Sequence, residues 1–160
     1  MPQGRRDRRG EPGGRRLRTG RDPLTRIAVP FPVPADRAFA YLADPRNRPA
    51  WQSSLRTVVD VVPAAGGITA AGTSWTDVTV VPGVRPRMRT LVAEPGVEWV
   101  EEGSCGPFRA RLALYFSPAE DGSLVVAEFD VAGLGAGKLL TVGGRPAVTA
   151  DLRRAAALAG

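Results

Sequence analysis

The chain has 160 residues, 43% of them apolar, enough for one domain with a buried core and too apolar for a disordered chain. It has no histidine and a single cysteine, Cys105, which excludes Ser-His-Asp or Cys-His hydrolysis and an internal disulfide, and leaves zinc without its usual ligands. The net charge is +6, but eight arginines face only Asp7, Glu11 and Asp22 in residues 1–23, so that segment carries nearly all of it.

Residues 1–23 are dominated by Arg, Gly and Pro, and Leu17 is their one large apolar side chain after Met1. Such a segment buries too little surface to order itself and is expected to be a disordered tail. It reads either as a basic arm for nucleic acid or an anionic surface, or as a solvated extension from a start assigned too far upstream. The second reading is favoured, because no aromatic residue is interleaved with the arginines. No apolar run reaches the roughly 18 residues of a membrane span. Arg15 and Arg16 are followed by polar residues, not by the apolar stretch of an export signal. A cytoplasmic protein without metal or cofactor is therefore expected.

The folded domain is expected over residues 24–160. LTRIAVPFPV reads as a strand, with Pro30 and Pro32 arguing for an edge or a bulge. PADRAFAYLADP reads as a helix: Pro34 suits its first turn, Asp36 its positive end, and Ala38, Phe39, Leu42 and Ala43 form one stripe. Pro45 should end it at Asp44. RNRPAW makes one further short turn carrying Trp51. Four or five strands follow, drawn from SLRTVVDVV, TSWTDVTVV, RPRMRTLVA, VEWVEE, FRARLALYF and LVVAEFDVA, with Cys105 in the GSCGP turn. Short turns between alternating segments imply an antiparallel meander. Lys138 to Ala159 reads as a helix with Val148, Leu152, Ala155, Ala156 and Ala159 inward and Asp151 and Arg154 outward. Gly143, Gly144 and Pro146 should kink or break it.

The stretch VPFPVPADRAFAYLADPRNRPAW, with Pro34, Asp36, Phe39, Asp44, Pro45, Asn47, Pro49 and Trp51, resembles the opening of the polyketide cyclase/dehydrase and lipid transport proteins of the START-like (SRPBCC) superfamily. Gly72-Thr73, GPFRARLALYF and AVTADLRRAAAL are similar to later blocks of that family, and the resemblance spans residues 25–160. It implies an α+β helix-grip fold, in which a curved antiparallel sheet wraps a long C-terminal helix, with two short helices after the first strand. It also implies a cavity for an apolar molecule, gated by the short helices and nearby loops.

Alternation sorts the strand faces. Met88, Thr90 and Val92 fall inward, as do Val97, Trp99 and Glu101; Phe108, Ala110, Leu112, Leu114 and Phe116; and Val125, Ala127, Phe129 and Val131. Arg87, Arg89, Arg109, Arg111, Glu98, Glu102, Glu128 and Asp130 fall outward, with Arg111 expected opposite Glu128 and Arg109 opposite Asp130. Trp75 and Asp77 share a face, and alternation does not decide which; inward, they would join Trp99 as a polar-aromatic patch for a planar ligand. The expected cavity residues are thus Trp75, Met88, Thr90, Trp99, Phe108, Ala110, Leu112, Leu114, Val125 and Phe129.

Two functions compete. The first is binding or carriage of a small apolar molecule, favoured by the shortage of inward polar residues. The second is a cyclase or aromatase, which needs an acid/base inside the cavity. Glu101 and Asp77 are its candidates; Tyr115 points outward. For Glu101, a wet strand end is the favoured reading over a cavity carboxylate, because alternation often fails near a turn. Two or more polar side chains converging in the cavity would reverse the order of the two functions. An exposed edge strand would also allow a homodimer.

Overall fold

The structure, a computed structural model, describes residues 26–133 and 137–160, with the side chains of 137–143 left aside. The expected tail, residues 1–23, lies outside the described residues. The chain runs β1 (Arg26–Phe31), α1 (Ala35–Ala43), a 3-10 turn (Pro45–Asn47), α2 (Arg48–Trp51), β2 (Leu55–Val62), β3 (Ser74–Thr79), β4 (Arg87–Glu94), β5 (Glu98–Cys105), β6 (Phe108–Ala119), β7 (Gly122–Ala132) and α3 (Gly137–Ala159). All seven strands join one antiparallel sheet in the order β1-β7-β6-β5-β4-β3-β2. All six segments after the short helices therefore pair, where four or five strands were expected. This is the helix-grip fold.

The strand that precedes the helices returns to close the sheet beside the last one, so β1 and β2 are its two edges. Pro30 sits on an edge, where a missing N–H costs least. α3 lies across β1 and β7, with α1 and α2 against its flank. Its buried side chains Leu152, Ala155, Ala156 and Ala159 meet Ile27, Val29, Phe31, Leu114 and Val125 in one core cluster. Small residues on the helix let it approach the sheet closely.

Three local expectations need correction. α3 is continuous through Pro146 and is not broken there. Proline removes one intrahelical bond, and burial of the later turns on the sheet holds the rest. Val92 is exposed, because β4 carries an extra residue between the Thr90↔Glu101 and Val92↔Val100 pairs. That bulge puts Ala93 in the place alternation assigned to Val92. Val97 is exposed as well, since it belongs to the β4–β5 turn and β5 starts one residue later.

The β6–β7 hairpin is longer than expected, running to Ala119↔Gly122 around Glu120-Asp121. At Gly122, φ is +139°, and a Cβ would strike the Phe31 carbonyl, so only glycine turns the chain there. The turn is centred one residue later than expected, which shifts the register by two: Arg111 faces Asp130 and Arg109 faces Ala132. Glu128 instead pairs with Arg26 of β1 at 3.3 Å. Across four strands the outer face reads Arg89, Glu102, Arg111, Asp130, an alternation of sign that penalises register slips.

Candidate ligand cavity and its buried ion triad

A cavity of about 810 Å³ opens between the sheet, α2 and α3. Met88, Phe108, Leu112, Phe129 and Val148 give it an apolar lining. Ala110 also lines it, so Met88, Phe108, Ala110, Leu112 and Phe129 of the ten expected residues reach the cavity. Trp75, Thr90, Trp99, Leu114 and Val125 face the same side of the sheet but are not part of the lining; all five are buried. The sheet face is continuous, yet α1 and α3 cover only part of it. Covered positions became core and uncovered ones became cavity wall. Cys105 also differs from expectation: it is the last residue of β5 and lines the cavity, while Gly106-Pro107 make the turn.

The polar part of the wall is built around Arg48. The turn before α2 is fixed by Asp44, whose Oδ1 accepts the Arg46 N–H at 2.9 Å, and by Asn47, whose amide donates to the Tyr41 carbonyl at 2.9 Å. These bonds aim Arg48, the first residue of α2, into the domain, where it is 2% exposed. Its Nη1 donates to Glu101 Oε2 at 2.6 Å and its Nη2 to Asp77 Oδ2 at 3.0 Å. Trp75 Nε1 donates to Asp77 Oδ1 at 2.9 Å, and the Arg48 guanidinium carbon lies 5.2 Å from the Trp75 ring centroid. Trp75 and Asp77 therefore face inward, which settles the face of β3 that alternation left open. They do so as members of an ion cluster rather than as a patch for a planar ligand.

Glu101 is 3% exposed, so the wet strand end expected of it is wrong. β5 continues four residues past Glu101, which keeps it inside the sheet and under α2. Burial pushes its carboxyl up, Arg48 pulls it down and Asp77 pushes it up again, leaving it at about 7 against an ordinary 4.5. Burial opposes the charge on Arg48, but the two carboxylates outweigh it and hold the guanidinium more firmly protonated than usual. Glu101 Oε1 makes no hydrogen bond among the described residues and is open to the cavity. Arg48 Nε and Gln52 Oε1, on the same wall, are buried without partners there.

Sequence reasoning missed Arg48. An arginine between Asn47 and Pro49 on a short helix reads as solvated, and its partners lie 29 and 53 residues away. The available signal was indirect: two inward carboxylates on one sheet face require a cation nearby. Tyr115 stays on the opposite face of β6 from Leu114 and Phe116, away from this cluster. No group of three or more Cys, Asp or Glu among the described residues is placed to hold a metal ion, and no described helix is long and apolar enough to cross a membrane.

The family model described as polyketide cyclase/dehydrase and lipid transport matches residues 25–160. A START superfamily protein from Mycobacterium smegmatis superposes with a TM-score of 0.65 at 10% identity, over 84% of this chain and 97% of that one. The di-domain ARO/CYC StfQ from the steffimycin biosynthetic pathway gives 0.65 at 18% identity, over 84% of this chain and 49% of its own. A protein from Rhodobacter sphaeroides gives 0.64 at 17% identity, over 87% and 94%. At these identities the likeness is one of fold. No curated protein matches the chain in sequence.

Proposed function

The chain belongs to the polyketide cyclase/dehydrase and lipid transport family, and from that premise we propose that it binds a small, mostly apolar molecule in the cavity beside Arg48, Asp77 and Glu101. The observation that carries this reading is the cavity itself. About 810 Å³ of apolar-lined space lies within the usual range for small-molecule sites. A well-packed domain leaves few voids larger than a water molecule. Native mass spectrometry of the chain purified from its own cells should show a co-purifying apolar molecule. Ala110 lines the cavity and is exposed, so Ala110→Trp should fill the space and remove that molecule while the protein stays folded. An empty wild-type chain that takes up no fatty acid, sterol or aromatic polyketide would remove the reading.

A second reading, acid/base catalysis of the cyclase type, is favoured by Glu101. A carboxyl held at about 7, with one oxygen open to the cavity, is matched to proton transfer near neutral pH. Three polar side chains meet on the cavity wall, but they turn toward one another and do not converge on the cavity space, so the order of the two functions stands. Arg48 and Asp77 bond to one another, to Glu101 and to Trp75, and the unpartnered Arg48 Nε–H is buried. Glu101 is then the one carboxyl of the cluster raised toward neutrality, and a single acid/base group supports binding more than cyclisation.

A further inference from the structure

The charges of the triad say more about the ligand than the cavity volume does. Resting on the binding reading above, we propose that the bound molecule carries a protonated amine, seated against Glu101 Oε1. The wall holds one guanidinium and two carboxylates, and both terminal nitrogens of the guanidinium are already engaged. With both carboxylates ionised, the cluster holds one buried negative charge too many, and an uncompensated buried charge is costly. A ligand ammonium supplies the missing cation and donates to the oxygen that lacks a partner. An alcohol donates the same hydrogen bond but leaves the charge unbalanced. A carboxylate ligand would add a third anion to a wall that already sets two carboxylates against one guanidinium.

Other charged groups around the cavity do not alter this balance. Arg109 and Arg111 of β6 and Asp130 of β7 border it, but their side chains alternate to the outer face of the sheet. On α3, Asp151 accepts the Ser53 N–H at 3.1 Å. The rings of Phe108 and Phe129 supply apolar walls for the rest of the molecule. Because Glu101 is held at about 7, the surplus negative charge, and with it the preference for an amine, grows as pH rises through neutrality.

The test uses the full chain and three probes of one shape: a naphthylmethyl ammonium, the matching naphthyl alcohol and naphthoate. Fluorescence titration at about pH 8 should show the ammonium binding at least about tenfold more tightly than the alcohol, with naphthoate weakest. At about pH 6 the margin should narrow, a readout that needs no variant. Glu101→Gln should bring the amine and alcohol to equal affinity, with its fold checked by circular dichroism. Equal or tighter binding of the alcohol or of naphthoate by the wild-type chain overturns the amine assignment and leaves the cavity reading standing. If none of the three binds, the amine assignment falls, and uptake of a fatty acid, sterol or aromatic polyketide decides whether the cavity reading falls with it.

Discussion

Replacing Arg48 with leucine is expected to destabilise the protein by about 3–5 kcal/mol, the usual loss when one partner of a buried ion pair is removed. Asp77 and Glu101 would then lie in the same buried wall with nothing to separate their charges. The hydrogen bonds that Arg48 donates at 2.6 and 3.0 Å would go with it. Urea unfolding near neutral pH measures the effect. The triple replacement Arg48→Met, Asp77→Leu, Glu101→Met should recover much of that loss, because a packed apolar cluster needs no compensation for desolvated charge. The pair of results is diagnostic. A loss under about 1 kcal/mol in the single variant would mean that water reaches the triad and that it is not a buried cluster.

The second large effect concerns pH, and its sign is opposite to that of most carboxylates. Glu101 is raised from 4.5 to about 7 on folding, so the folded chain holds this proton more tightly than the unfolded one. Its contribution to stability is fully present below about 4.5 and is lost as pH rises through about 7. The whole change corresponds to about 3 kcal/mol, by the equivalence of one pKa unit to 1.36 kcal/mol. Stability should therefore fall from about pH 5 to pH 8, a window in which most proteins are near their maximum. Asp44 works in the other direction. Burial pushes its carboxyl up, but hydrogen bonds from Arg46 bring it below its ordinary 3.8. Its contribution is present above that value and fades only in strong acid. Glu101→Gln should flatten the profile between about pH 5 and pH 8. A variant profile as steep as that of the wild type would place the titration on another group.

The sequence carried the architecture in its punctuation. Pro34, Pro45, the Gly-rich turns and the alternating segments set the element order. Alternation placed Trp99, Glu101, Leu114 and Val125 on the inner face, where they are found. It failed at Val92 and Val97 for local reasons, a bulge and a turn whose cause lies in the pairing of β4 with β5. It also could not separate core from cavity wall, because that distinction depends on which stretch of the sheet the helices cover. Glu101 is legible as an inward carboxylate, but alternation alone does not separate a buried position from a wet strand end. The length of β5, four residues beyond it, decides the matter. Arg48 is legible only indirectly, through the cation that two inward carboxylates require. Its role comes from contacts across three elements, and its neighbours Asn47 and Pro49 describe only the turn that aims it.

The two margins of the sheet also bear on how the protein behaves when crowded. An open β-edge is a template on which another chain can add a strand. On one side, β1 includes Pro30, which has no N–H to offer, and α3 packs across it. On the other, β2 breaks register against β3 twice, between Leu55 and Thr57 and between Val59 and Val62. Asp60, within the second break, has a φ of +53°. Bulges and a left-handed residue twist that margin away from the flat geometry that strand addition requires. Straightening β2 would turn the same margin into a docking strip for copies of itself, so its irregularities act as solubility devices.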